Sequence, residues 1–164
     1  MKNASYWINS LNLLPHPEGG YYKESYRSSG EIKNSTLPEN FIGNRAFSTA
    51  IYFLLEKGNF SAFHRIKSDE LWHYYDGDPI AIHVINNDGT LVTHMLGMQP
   101  HKGLFPQITI PANTWFASES IGDFSLAGCT VSPGFDFNDF EMADRNTLIG
   151  LHGEHSSIIK KFTR

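Results

Sequence analysis

Between residues 47 and 140 the chain is cut repeatedly by glycine, proline, asparagine and aspartate into short runs rich in β-branched and aromatic side chains. The runs fall at 47–55, 59–66, 70–75, 80–85, 90–96, 105–110, 114–118 and 124–131. Each has the length of a strand, and its residue types suit a pleated, half-buried surface. Asn86-Asn87-Asp88-Gly89, between two of these runs, is the clearest hairpin signal. Many short strands in succession make a sandwich or barrel rather than a βαβ sheet. The expected fold is therefore all-β, an antiparallel double-sheet jelly-roll barrel.

The ends read differently. Tyr6, Trp7, Leu11 and Leu14 recur at helical spacing behind Asn3 or Ser5 as candidate caps, and Pro15 stops the helix. Pro15-His16-Pro17-Glu18-Gly19-Gly20 reads as a turn, and 21–27 as a strand. The polar stretch 28–40 reads as the most mobile loop. After Ser132-Pro133-Gly134 and residues 135–140 comes a short helical tail around 143–151. No repeat or low-complexity tract interrupts the pattern, and residues 1–164 read as one domain.

Composition narrows the function classes. Charged residues at 18% against 40% hydrophobic are the proportions of a globular core. A net charge of −4 gives no basic footprint for nucleic acid or an anionic membrane. No apolar run approaches the ~20 residues of a membrane helix, and the first residues lack the apolar stretch of a signal peptide. The lone Cys129 has no internal disulfide partner. Together these predict a cytoplasmic protein with neither nucleic-acid nor membrane partners.

One spacing carries chemistry. Five residues separate Gly58 from His64, five separate His64 from Glu70, and six separate Glu70 from Gly77. This resembles the first motif of the cupin superfamily: glycine, five residues, H-x-H, three or four residues, glutamate, six residues, glycine. The second histidine of H-x-H is Ile66 here. The second cupin motif, P-x-G-x-x-H, is best matched by Pro111-Ala112-Asn113-Thr114-Trp115-Phe116, with Phe116 at the histidine position and Phe105 where a glycine should open it. In cupins the three histidines and the glutamate hold a divalent metal. The resemblance thus implies a barrel whose metal set is reduced to His64 and Glu70, too few to retain a transition metal. We expect no metal and no cofactor.

Alternation places His64 and Ile66 on one strand face, and Glu70, Trp72 and Tyr74 on another. The cupin pattern implies that these faces look inward. A histidine enclosed with a carboxylate can act as a general base near neutral pH. Sugar-nucleotide epimerases of the wider cupin group use a metal-free barrel histidine in this way. The expected catalytic pair is His64 as base with Glu70 as orienting partner or acid. Trp72, Tyr74, Phe116 and Ile66 would wall the ligand, with Glu18 and Tyr22 as further candidates. A buried His/Glu pair without chemistry is the bland alternative.

Over nearly its full length the chain also resembles the DUF985 family of cupins. The matching stretches are Leu13 to Tyr22, Ser48 to Leu55, His64 to His73 and Ser132 to Phe137. That resemblance implies a jelly-roll cavity, often in a homodimer, with no established reaction. An open strand edge that needs covering also favours a homodimer. Lys23 and Arg45 read as surface charges that could anchor an anion, and Cys129 as an inert core residue. His83, His94, His101, His152 and His155 read as surface or interface residues. The leading expectation is a barrel binding a small polar or carbohydrate-like molecule, acting as a metal-independent isomerase or epimerase. The alternatives are a non-catalytic small-molecule-binding module and a divergent metal-dependent cupin enzyme.

Overall fold

The structure is a computed structural model describing residues 2–164. Helix α1 (Ala4–Leu11) is followed by strands β1 (Leu14–Pro15), β2 (Tyr21–Arg27), β3 (Glu31–Ile32) and β4 (Arg45–Ala46). The long strands come next: β5 (Thr49–Glu56), β6 (Phe60–Arg65), β7 (Asp69–Gly77), β8 (Ile80–Ile85) and β9 (Leu91–Leu96). Then follow β10 (Leu104–Phe105), β11 (Gln107–Ile110), β12 (Trp115–Ser120), β13 (Phe124–Ser132) and β14 (Glu141–Met142). Helices α2 (Arg145–Leu151) and α3 (Ser156–Lys161) come last.

Two six-stranded sheets form the jelly roll. One runs β1-β2-β5-β13-β7-β11, the other β10-β9-β8-β12-β6-β14. Residues 105–110, which read as one strand, are split at Pro106. A proline has no N–H for a ladder, so β10 joins one sheet and β11 the other. Part of the polar loop is tied down by β3 pairing with β4. The helical tail is two helices rather than one. Residues 135–140 form no strand but an aromatic strap with a single tight helical turn at Phe137–Asp139.

Burial follows the period of each element. Inward residues of both sheets, among them Phe53, Leu55, Trp72, Ile82, Val84, Ile110 and Phe116, make the barrel core. The outer face of the first sheet packs Leu54 and Leu126 against Trp7 and Ile8 of α1. That helix is capped by Asn3, whose Oδ1 accepts from the Tyr6 N–H at 2.9 Å. The outer face of the second sheet packs Phe63, Ile85 and Ala117 against Leu148, Ile159 and Phe162. His83 belongs to this covered face, its ring 4.9 Å from that of Phe162, so it is not the surface residue its spacing suggested. With both faces covered, β6 is buried along nearly its whole length.

A bulge in β6 sets up the site. Phe116 of β12 pairs with His64 while Ser118 pairs with Ser61, so β6 carries one extra residue at this point. The displaced Ala62 N–H donates instead to Glu18 O at 2.8 Å, and the Phe63 N–H to Phe162 O at 2.8 Å. The Ala62 bond docks the turn between β1 and β2 onto the barrel wall. Gly19 makes the approach feasible: its φ is +115°, and a Cβ there would lie 2.0 Å from Phe60 O.

Candidate functional site

A cavity of about 570 Å³ opens between the sheets. Its wall includes Ile51, Phe53 and Trp72, and the strap adds Phe135, Phe137 and Phe140. His16, Glu18, His64 and Glu70 look into it. Lys23, Glu24, Arg27 and Asp136 also line it.

His64 sits on β6 with its ring wholly enclosed, 4.1 Å between centroids from Phe116. Cross-strand pairing of these two residues puts both side chains on one face. The ring's Nδ1 lies 2.7 Å from Ala62 O. A carbonyl only accepts, so Nδ1 carries a proton, and in neutral His64 the other nitrogen, Nε2, is an acceptor. That Nε2 is 3.2 Å from Glu18 Oε2. Glu18 Oε1 accepts from the Ser61 hydroxyl at 2.8 Å. On the other side His16 Nδ1 receives the Glu18 backbone N–H at 3.3 Å and lies 3.4 Å from Glu18 Oε2.

At 3.2 Å, Glu18 Oε2 and His64 Nε2 are within ion-pair reach of one another. Burial pushes Glu18 up, against the opposing pull of His16 and the Ser61 hydrogen bond. Burial pushes His64 down, partly offset by the charge of Glu70 and the bond to Ala62. His16 is lowered by burial as well, with Glu18 opposing. All three shifts favour the neutral forms, a carboxylic acid beside two uncharged imidazoles.

Glu70, on β7 in the opposite sheet, is 8% exposed and pairs with no described cation. Burial raises it from 4.5 to about 7; His64 opposes the shift, Glu18 adds to it, and Cys129 and Trp72 oppose it more weakly. The Trp72 indole N–H is close enough to act on Glu70 yet closes no hydrogen bond of normal geometry. It is a buried donor in want of an acceptor.

The expected site is therefore partly assembled and partly rearranged. His64, Glu70, Ile66, Trp72, Tyr22 and Glu18 all line the cavity. The close partner of His64 is Glu18, a residue of the β1–β2 turn, and not Glu70. Phe116 lies behind His64 and supports its ring instead of walling a ligand. Tyr74 faces inward, but it is four residues along β7 from Glu70, about 13 Å at strand rise. Its hydroxyl donates to Gly77 O at the far end of the barrel. Cys129 is buried as expected, but beside Glu70 at the cavity wall. Arg45 is no surface charge: it is buried and grips Asp139 with Nε at 2.6 Å and a terminal nitrogen at 2.7 Å. Sequence reading put His16 in a structural turn, and the only sign of more was its place beside Glu18 and two glycines. Phe135 and Phe137 fall within a family-matching stretch, but nothing in the sequence marks the strap phenylalanines as cavity residues.

Fold and cavity together define a cupin-type barrel. The profile of the family described as Cupin superfamily (DUF985) matches residues 5–143, and the chain belongs to that family. Solved structures agree. A protein of Shewanella oneidensis is 38% identical, with a TM-score of 0.91 covering 100% of this chain and 99% of that one. A hypothetical protein of Leishmania major is 35% identical, with a TM-score of 0.90 covering 99% of both chains. The uncharacterized yeast protein YML079W of Saccharomyces cerevisiae is 29% identical over 143 residues, spanning 80% of this chain and 71% of its own length. Oxalate decarboxylase of Bacillus subtilis aligns at a TM-score of 0.56 with 12% identity, over 90% of this chain and 36% of that one, a likeness of fold alone. No helix among the described residues is long and apolar enough to cross a membrane.

Proposed function

We propose that the barrel binds a small polar, ring-bearing molecule and moves a proton on it, as a metal-independent isomerase or epimerase. The observation that carries this reading is Glu18 placed 3.2 Å from His64 in an aromatic cavity that also holds Glu70. Two acids in one cavity with differing environments form a natural acid/base pair. Both nitrogens of His64 are engaged, which favours His64 as the positioning residue and proton reserve behind Glu18. Glu70, raised to about 7, is available as acid and as base near neutral pH.

The step balances without an oxidant. Glu70 carboxylate takes a proton from a substrate carbon, the electron pair is delocalised within the substrate, and protonated Glu18 returns a proton at a second position. Transfer between the two acids through solvent restores the starting state. The apolar walls lower the local dielectric and so sharpen the electrostatics of both acids.

Such a reaction exchanges carbon-bound hydrogen with solvent. The test is proton NMR in D₂O with a panel of aldoses, amino sugars, sugar phosphates and cyclic keto acids. Deuterium incorporation into one compound by the wild type, falling about a hundredfold in Glu70→Gln, is the expected result. A compound that binds without any exchange would leave the non-catalytic binding module as the function of the cavity.

A further inference from the structure

Charges around the cavity are unequally provided for. Arg27 is already taken: its guanidinium donates to both carboxylate oxygens of Glu24, at 3.0 and 2.7 Å, and to Phe135 O at 3.2 Å. Arg45 and Lys67 are both committed to Asp139. Lys23 is exposed. No fixed positive side chain is left to face Glu70, whose ionisable neighbours are Glu18 from the β1–β2 turn, His64 from β6 and Cys129 from β13. A buried carboxyl with no cation either keeps its proton or stays costly as an anion.

The walls are of the kind that accept positive charge. Phe53, Trp72, Phe135, Phe137 and Phe140 line the cavity, and the negative faces of such rings attract cations. A ligand bearing phosphates would meet two acids and no free guanidinium. A bare metal ion is poorly served too. Among the described residues no three His, Cys, Asp or Glu side chains converge to hold one. His64 Nδ1 is spent on Ala62 O and Glu18 Oε1 on Ser61. A cavity of about 570 Å³ suits an organic molecule.

We propose that the ligand of this cavity carries a cationic nitrogen, a protonated amine or quaternary ammonium, seated among the aromatic rings against Glu70. This inference rests on the reading that the cavity takes a small molecule, and not on the proton-transfer step. Binding of the cation ionises Glu70, so it releases a proton when the acid starts protonated and strengthens as pH rises through about 7. The cation supplies the charge partner that the protein withholds. The orphaned Trp72 N–H then faces a carboxylate rather than a neutral acid.

The test uses an isosteric pair, choline and 3,3-dimethylbutan-1-ol, which differ in the charge of one central atom. Both are titrated calorimetrically into the full chain after treatment with EDTA. At pH 8 choline should bind about tenfold more tightly than the alcohol. The preference should shrink to about threefold or less at pH 6 and in Glu70→Gln. Titrations at pH 7 in buffers of different ionisation enthalpy should register proton release with choline alone. Phe137→Ala, at a residue 53% exposed, should weaken choline by a larger factor than the alcohol. Equal or tighter binding of the alcohol overturns the proposal, as does binding of neither compound. A choline preference that persists unchanged in Glu70→Gln overturns it as well. Deuterium exchange on an uncharged sugar would uphold the isomerase reading while this one fails, so the two are judged separately.

Discussion

Asp139 and Glu70 are both buried carboxyls, at 6% and 8% exposure, and the protein treats them in opposite ways. Asp139 holds the strap to the barrel. It receives two hydrogen bonds from Arg45, and Lys67 stands 3.3 Å away. Arg45 in turn donates to the carbonyls of Ile42, Gly43 and Asn44. Hydrogen bonding to Asp139 lifts the pKa of Arg45 further, so the guanidinium is charged at any working pH. Glu70 has a buried imidazole, a thiol, an indole and a second acid for company, and burial raises its pKa to about 7, so its proton leaves near neutrality. One arrangement locks a loop and the other leaves a group ready to react. The difference between a structural and a functional buried acid is the presence of a matched cation.

Asp139→Ala puts the greatest strain on this comparison. It strands a buried guanidinium, which costs about 4 kcal/mol when a buried pair is broken from one side. Urea unfolding should register that loss, and the strap should become sensitive to protease at its exposed Phe137. A loss below about 1 kcal/mol would mean that water reaches Arg45, and Asp139 would then be no lock.

Glu70→Gln should act with the opposite sign. In the unfolded chain Glu70 ionises near 4.5, and in the folded one near 7. Between these values the folded state keeps a proton that the unfolded state has shed, so stability falls as pH rises. Below 4.5 the variant and wild type should be equally stable. Above 7 the neutral amide should be the more stable by up to about 3 kcal/mol. Urea midpoints at pH 4.5 and pH 8 check the sign. A variant less stable than wild type at pH 8 would show that Glu70 is satisfied as an anion, and the contrast with Asp139 would collapse.

Much of this architecture was legible from local sequence. Strands such as Ile80–Ile85 and Leu91–Leu96 follow from β-branched runs and an Asn-Asn-Asp-Gly turn, because those signals act over a few residues. The inward faces of β6 and β7 follow from alternation, which correctly brought His64, Ile66, Glu70 and Trp72 to one cavity. The rest depends on contacts that no local pattern announces. Arg45 and Asp139 are separated by 94 residues, and Glu18 and Ser61 by 43. The extra residue in β6 is invisible to a period-2 reading, yet it exposes the Ala62 N–H that docks Glu18 beside His64. Tyr74 obeys the alternation and still misses the cavity, because alternation assigns a face and not a depth.

The smallest effect tests how Glu18 keeps its proton. Ser61→Ala removes the hydroxyl that donates to Glu18 Oε1 while leaving the contact of Oε2 with His64 intact. The lost bond should cost about 1 kcal/mol of stability. Its electrostatic effect is more informative. The hydroxyl stabilises the carboxylate, opposing burial, so its removal should push the Glu18 pKa further up. A ¹³C-labelled Glu18 carboxyl, followed by NMR, should then titrate at higher pH than in the wild type, with the His64 ring still neutral. If Glu18 instead reads as a carboxylate at neutral pH with the His64 ring charged, the proton resides on His64. Glu18 would then be the carboxylate of a buried ion pair, and the cavity would hold one acid in want of a cation rather than two.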